Sequence, residues 1–314
     1  MLHSGIMNFK KEDISTVVII VAILFLLCLF FNKLHRGYYF FTNPIKLNKA
    51  FVSEEQQEMK KKIASFFVTE EMSVIEEKKI QETVVEEVAT SSPKIAIFVY
   101  HSVRPHILHE SKIQDTYDVT PELFEEHLRY LKENGYTVIT MDRLESDLLH
   151  GIKKTDTTKR VVISFDDGWE NQYTYAYPLL KKYKVPAIFY VYTQPLGYKH
   201  FLTWQQIKEM KANGMEIGSH TLTHPFFKKI NDEKLRFEIS ESKKRLEKEL
   251  GSPVNHFASP FGYSNTYIES VVKESGYHTG RTIFRGVHHK DMYSLRGNLL
   301  TDSMKDFIEV LDKK

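Results

Sequence analysis

The pattern of apolar and polar positions changes texture as the chain proceeds. From Ile14 to Phe31 the run ISTVVIIVAILFLLCLFF carries no charge, a length that just meets what a helix needs to cross a bilayer. It is longer than an ordinary signal-peptide core, and Asn32-Lys33-Leu34-His35-Arg36 follows it rather than a small-residue cleavage site. The expectation is an uncleaved single-pass anchor over 14–31 behind a tail of residues 1–13, with Tyr38-Tyr39-Phe40-Phe41 at the membrane interface. Flanking charge does not orient it, because Lys10 and Lys11 are matched by Lys33 and Arg36. Within the juxtamembrane segment 32–92, the stretch from Ser53 to Ser92 mixes clusters such as Lys60-Lys61-Lys62 and Glu76-Glu77-Lys78-Lys79 with isolated apolar residues. That composition reads as a charged, partly helical stalk, or as a helix for a partner. Thr90-Ser91-Ser92-Pro93 then punctuates the chain.

From Pro93 to the last residue, Lys314, short apolar runs alternate with helical patterns. Strands are expected over 95–100, 136–140, 160–165, 187–191, 215–218 and 256–259. Helices are expected over 121–134, where Leu123, Phe124, His127, Leu128 and Leu131 share a side, and over 173–183, 204–213 and 265–275. A further long helix is capped by Asn231 and runs through Leu250. Repeated β-then-α units favour a parallel sheet, and their number suits a closed or nearly closed α/β barrel. In such barrels the chemistry sits where strands end and loops begin.

Composition narrows the class. The 314 residues, 42% hydrophobic and 27% charged, suffice for one sizeable core. A net charge of +2 with no basic face argues against nucleic acid as a partner. The single cysteine, Cys28, excludes an intrachain disulfide framework and a Cys-rich zinc site, so any metal must be held by His, Asp or Glu.

The candidate chemistry falls at strand ends. Ser164-Phe165-Asp166-Asp167-Gly168-Trp169 closes an apolar run. Two adjacent carboxylates repel unless something positive or proton-bearing lies between them. A metal would let one acid ligate while its neighbour acts as a base; standing alone, the same residues make a solvated turn. His220 and His224 follow another strand, and a spacing of four places both imidazoles on one side of a single helical turn. His256-Phe257-Ala258-Ser259-Pro260-Phe261-Gly262-Tyr263 ends in a turn that can offer a backbone N–H to an oxyanion. His101, after the first strand, has the pKa to protonate a leaving amine, or serves as a hydrogen-bonded structural histidine. Trp169, Tyr100 and Tyr263 suit stacking on sugar rings, and equally suit packing.

Together these segments resemble the polysaccharide deacetylase family, also called carbohydrate esterase family 4 or the NodB-homology domain. The resemblance covers nearly all of 93–311. Ser-Phe-Asp-Asp-Gly and Ser-His-Thr-Leu-Thr-His-Pro look like its first and second motifs, and residues 173–191 and 204–219 look like its intervening text. It implies a distorted, usually seven-stranded (β/α) barrel and removal of acetyl groups from N-acetylglucosamine polymers or, in some members, acetylated xylan. It further implies Asp166 as general base, Asp167, His220 and His224 as metal ligands, and the Phe261 amide as oxyanion donor; two imidazoles and a carboxylate with an open position suit zinc among the divalent metals.

Two departures stand out. Ala258 occupies the place of the arginine that usually buttresses the base, and Leu295-Arg296-Gly297-Asn298 lacks the usual late histidine acid. Both, with the early Tyr100-His101, are similar to the branch that deacetylates poly-β-1,6-N-acetylglucosamine in biofilms, which makes His101 the acid. Arg296 is the expected replacement for the buttress, while His288 and His289 are rival acids by residue type alone. The expected protein is a membrane-anchored N-deacetylase with its catalytic domain outside the cell. A peptidoglycan N-acetylglucosamine deacetylase and an inactive carbohydrate-binding or assembly protein are the competing readings.

Overall fold

A computed structural model of the chain describes residues 93–107 and 117–312. The expected anchor at 14–31 and the segment 32–92 lie outside the described residues. Among the described residues, no helix is long and apolar enough to cross a membrane.

The runs richest in β-branched and aromatic residues become buried strands, as expected for side chains that pack well on a pleated surface. They are β1 (Ala96–Tyr100), β5 (Lys159–Phe165) and β6 (Ile188–Val191), with β2 (Ser102–Val103), β3 (Asp118–Val119) and β4 (Tyr136–Val138) between the first two. β7 (Glu216–Ser219), β8 (His256–Ala258), β9 (Thr279–Arg281) and β10 (Gly297–Leu299) complete the set. Among the described residues, seven strands follow one another in the order β10-β1-β5-β6-β7-β8-β9, every pairing parallel. The two ends of this path meet through a parallel bridge between Arg281 and Leu295 and the bonds Thr282 N to Leu295 O (2.9 Å) and Gly297 N to Thr282 O (3.1 Å). The result is a nearly closed barrel. Its distortion is visible at β5, whose one edge is shared: Lys159, Arg160 and Val161 pair with β4, Ser164 and Phe165 with β6.

Because side chains alternate across a strand, each strand feeds two layers. Ile95, Ile97, Val162, Ile188, Tyr190, Ala258 and Leu295 form one buried cluster, the barrel lumen. Phe98, Tyr100, Ile163, Phe165, Phe189, Val191 and Phe257 belong to the larger cluster between strands and helices. The lumen tolerates Tyr190 because residue 218 is glycine: a Cβ there would lie 2.4 Å from the Tyr190 ring.

The helices start where caps predict. α1 (Pro121–Glu133) is capped by Thr120, buries Phe124, His127, Leu128 and Leu131, and is followed by Gly135 at φ 71°. α2 (Met141–His150), α3 (Tyr177–Tyr183), α4 (Trp204–Ala212), α5 (Asp232–Leu250), α6 (Thr266–Glu274) and α7 (Met304–Leu311) follow. Asn231 caps α5 by accepting from Lys234 N, and Gly251 ends it in the left-handed region. The expected helix over 173–183 is not continuous. It begins as a π-turn, Gln172–Ala176, and becomes α-helical only at Tyr177. Pro178 has no N–H for the carbonyl one turn back, and the wider register absorbs the break. The apolar pattern does not reveal β2, β3, α2, β9, β10 or α7. Thr-Gly-Arg and Gly-Asn-Leu are three-residue strands without an apolar run, so only their pairing partners define them.

Candidate active site

At the carboxyl end of β5 the chain must separate two consecutive acids. Asp166 N donates to Tyr100 O (2.9 Å), continuing the sheet for one more residue. Asp167 then enters the left-handed region at φ 76°, followed by Gly168 at 78°. A side chain at 168 would meet Val191 Cγ1 at 3.0 Å, so glycine is needed for both conformation and space. This reversal sends the carboxylates in different directions. Asp166, 2% exposed, receives Arg281 Nη2 on Oδ1 and lies 4.0 Å through Oδ2 from His101 Nε2. Asp167 turns to the histidines, with Oδ1 3.6 Å from His220 Nε2 and 3.4 Å from His224 Nε2, while Oδ2 accepts from Trp169 Nε1 at 3.1 Å.

His220 follows β7 and stays in register, its N–H donating to Val191 O (2.9 Å). The next residues do not form the helical turn that the spacing predicts. Thr221 (φ 73°) and His224 (φ 57°) are both left-handed, and Pro225 disfavours helical geometry at the residue before it. The imidazoles nonetheless converge, their Nε2 atoms 3.2 Å apart. His220 Nδ1 lies 2.7 Å from Ala258 O; a carbonyl only accepts, so Nδ1 carries the proton and Nε2 presents its lone pair. Burial pushes the His220 pKa down, and burial with the neighbouring His220 charge pushes His224 down to about 4. Both rings therefore favour the neutral form that a metal ligand requires.

The three donor atoms form a triangle with edges of 3.2, 3.4 and 3.6 Å. A tetrahedral ion with bonds of roughly 2.0–2.1 Å has ligand–ligand edges of about 3.3 Å. Asp167 Oδ1 is buried and has no hydrogen-bond partner, which is costly unless a cation takes its lone pair. Two imidazoles and a carboxylate, with room for a fourth ligand, fit zinc or another divalent transition ion. A second grouping, Asp142, Glu145 and His256, gathers at the opposite end of the strands. There His256 is fully engaged, with Asp142 Oδ1 and Thr279 Oγ1 each 2.9 Å away.

The arginine expected at Asp166 is present but comes from elsewhere. Arg296 is exposed and donates through Nη1 to Arg285 O (3.1 Å), so it is not the buttress. Arg281 is. It pairs with Ala258 across the β8–β9 ladder, so the guanidinium arrives at the level of the missing residue from the next strand over. It is 1% exposed, donates to Thr282 O (3.2 Å) and sits 5.0 Å from the Tyr190 ring centroid. Burial alone would raise the Asp166 pKa, but Arg281, His220 and His101 outweigh it and hold the carboxyl below the usual range. No local signal marks Arg281, whose motif is a three-residue strand 115 positions from its partner.

The remaining expected residues divide. His101 sits at the same rim, half-buried, tilted against Tyr117 at 5.4 Å, its carbonyl receiving Gln172 Nε2 at 2.7 Å. Phe261, at φ 57° and exposed, lies 4.7 Å ring to ring from His224. Trp169 stacks on Phe201 (4.6 Å) and lines a cleft of about 1080 Å³ together with His101, Asp167, Tyr117, Asn171 and Tyr175. Tyr100 does not face that cleft: it is 1% exposed, with its hydroxyl 3.0 Å from buried His127 Nδ1, and is a core residue. Tyr263 is half-buried beside Phe226 and under Lys228. His289 is buried, 2.8 Å from Ile95 O and accepting from Arg296 N (3.1 Å), a structural role rather than an acid at the site.

Known proteins carry the same arrangement of segments. The family model for polysaccharide deacetylase matches residues 153–280. A Bacillus subtilis protein described as a polysaccharide deacetylase, YxkH, is 31% identical over 211 residues, spanning 66% of this chain and 72% of that one. The poly-β-1,6-N-acetyl-D-glucosamine N-deacetylase of Staphylococcus aureus is 30% identical over 200 residues, 56% of this chain and 68% of its own. Among solved structures, the Streptococcus pyogenes deacetylase PplD, determined with acetate, superposes with a TM-score of 0.66 at 27% identity, covering 71% of this chain and all of that one. Agreement of motif, barrel and a relative 31% identical over 72% of its own length leads to one assignment: the chain belongs to the polysaccharide deacetylase family of hydrolases.

Proposed function

We propose that the protein is a metal-dependent hydrolase that removes N-acetyl groups from a cell-surface N-acetylglucosamine polymer, with poly-β-1,6-N-acetylglucosamine as the substrate. The observation that carries this reading is that His101 lines the same cleft as Asp167 with its Nε2 4.0 Å from Asp166 Oδ2, which supports it as the acid in a chain without the late histidine. The Staphylococcus aureus relative, named for that activity, supports the choice of polymer.

Asp167, His220 and His224 would hold the cation, which when bound supplies water activated near neutral pH and polarises the acetyl carbonyl. The chain's own groups do the rest. Asp166, kept ionised by Arg281, accepts a proton from the attacking water. The Phe261 N–H donates to the carbonyl oxygen as it gains negative charge. His101 protonates the departing nitrogen, and the amide bond gives way to acetate and a free glucosaminyl amine. Trp169 fixes Asp167 through its indole N–H and offers an aromatic wall to the sugar. The charge-free run Ile14–Phe31 supports a membrane anchor with this domain on the outer side, where the polymer lies.

The test is a side-by-side assay of the full chain on β-1,6-linked and β-1,4-linked N-acetylglucosamine oligomers and on peptidoglycan, following released acetate. Preference for the β-1,6 oligomers is expected. Faster release from peptidoglycan would transfer the function to the wall polymer, and no release from any of them by zinc-loaded protein would leave a carbohydrate-binding role.

A further inference from the structure

The segment that joins the two imidazoles, Thr221-Leu222-Thr223, is held from behind by a carboxylate that the hydrolysis does not use. Glu238, on α5, is fully buried. Its Oε2 accepts from Leu222 N (3.0 Å) and Thr223 N (2.8 Å), and its Oε1 from Thr223 Oγ1 (2.6 Å) and Lys234 Nζ (2.9 Å). Three of those four donors belong to the link between His220 and His224.

That link needs a restraint. Thr221 and His224 both adopt positive φ, at 73° and 57°, and a β-branched residue adopts that conformation only when its surroundings over-determine it. The Thr221 hydroxyl accepts from His224 N (3.0 Å) and closes the turn locally. On the barrel side the carbonyls of Thr221 and Leu222 accept from Thr193 N (3.2 Å) and Gln194 N (2.9 Å). The N–H groups of Leu222 and Thr223 face the other way and are held by the Glu238 carboxylate, on an α5 itself packed through Leu235, Ile239 and Leu246.

We propose that Glu238 is a positioning residue for the metal site: through Leu222 and Thr223 it fixes His224 Nε2 beside His220 and Asp167, and so sets the affinity for the divalent cation. The inference rests on the metal-binding reading above. The physical reason is preorganisation. With the carboxylate in place, ordering of the loop is completed on folding and does not subtract from ion binding. Without it, the left-handed residues relax and His224 must be recovered each time an ion enters. Partners of this outer kind typically govern metal affinity about 10–100-fold.

The experiment uses the full chain, stripped with chelator and titrated with zinc against a chromophoric competitor. Glu238→Gln keeps the side-chain shape but turns an NH₂ toward donors that need an acceptor. The expected result is one zinc bound by the wild type and affinity about 10–100-fold weaker in Glu238→Gln. Cobalt-substituted variant should show weaker visible absorption, as the site departs from tetrahedral. Thr223→Val removes one donor while leaving α5 intact and should weaken zinc several-fold. A folded Glu238→Gln whose zinc affinity and cobalt spectrum match the wild type would overturn the proposal. If that variant does not fold, a wild-type zinc affinity in Thr223→Val would overturn it equally. Failure of the wild type itself to bind zinc is a separate outcome, which removes the metal reading beneath it.

Discussion

Arg281→Met isolates the correction that the structure makes to the sequence. Arg281 and Asp166 are 1% and 2% exposed, and the guanidinium meets the carboxylate directly. Methionine keeps much of the aliphatic volume but leaves an ionised acid buried without its partner. Breaking one side of a buried pair costs about 3–5 kcal/mol, and loss of the buried contact with the Tyr190 ring adds roughly 2 kcal/mol. Arg296→Ala removes an exposed hydrogen bond to Arg285 O and the side chain's packing over Gly286 and should stay within about 0.5 kcal/mol. The assay is urea unfolding of both variants and of Arg281→Met/Asp166→Asn. Neutralising the stranded acid should recover most of the loss, giving a coupling energy of several kcal/mol. Turnover should fall about 100-fold or more in Arg281→Met, because Asp166, the proposed base, loses its anchor, and remain near wild type in Arg296→Ala. A loss below about 1 kcal/mol in Arg281→Met, or inactivation by Arg296→Ala, would refute the assignment.

Further outcomes follow from the same geometry. Asp166→Asn should bind zinc like the wild type yet release no acetate, whereas Asp167→Asn should lose zinc affinity; equal zinc affinity in the two variants, read by competition, would argue against their division of roles. His127, fully buried against Phe307 and Tyr100, has its pKa pushed by burial from 6.5 down to about 4. Its neutral form is the one that fits, so its contribution is whole above pH 6.5 and is lost as pH falls toward 4, at most about 3 kcal/mol. Urea midpoints across that window should fall in the wild type and flatten in His127→Phe. Gly218→Ala places a methyl 2.4 Å from the Tyr190 ring and should cost about 1–3 kcal/mol by overpacking; an unchanged melting temperature would show that the lumen can yield.

The apolar runs of β1, β5 and β6 and the capped, one-sided pattern of α1 announce their own conformations, because buried strands and amphipathic helices write their periods into the chain. Asp166-Asp167-Gly168 and the His220–His224 pair stand at strand ends, and the barrel brings those ends to one rim. The His-x-x-x-His spacing was right about proximity and wrong about its cause, since left-handed residues and Pro225 make a loop where the interval alone suggests a helical turn.

The sequence by itself therefore determined the repeating β-then-α units and the residue types available for a metal, for they depend on neighbours along the chain. The tertiary structure alone decided which arginine meets Asp166, which aromatic residues are core and which line the cleft, and which carboxylate grips the histidine loop. Arg281 reaches its acid only because β9 lies beside β8 with Ala258 opposite it, and Glu238 reaches Thr223 only because α5 packs behind β7. Contacts of that kind join residues that are neighbours in space and not in order, so no period or spacing along the chain records them.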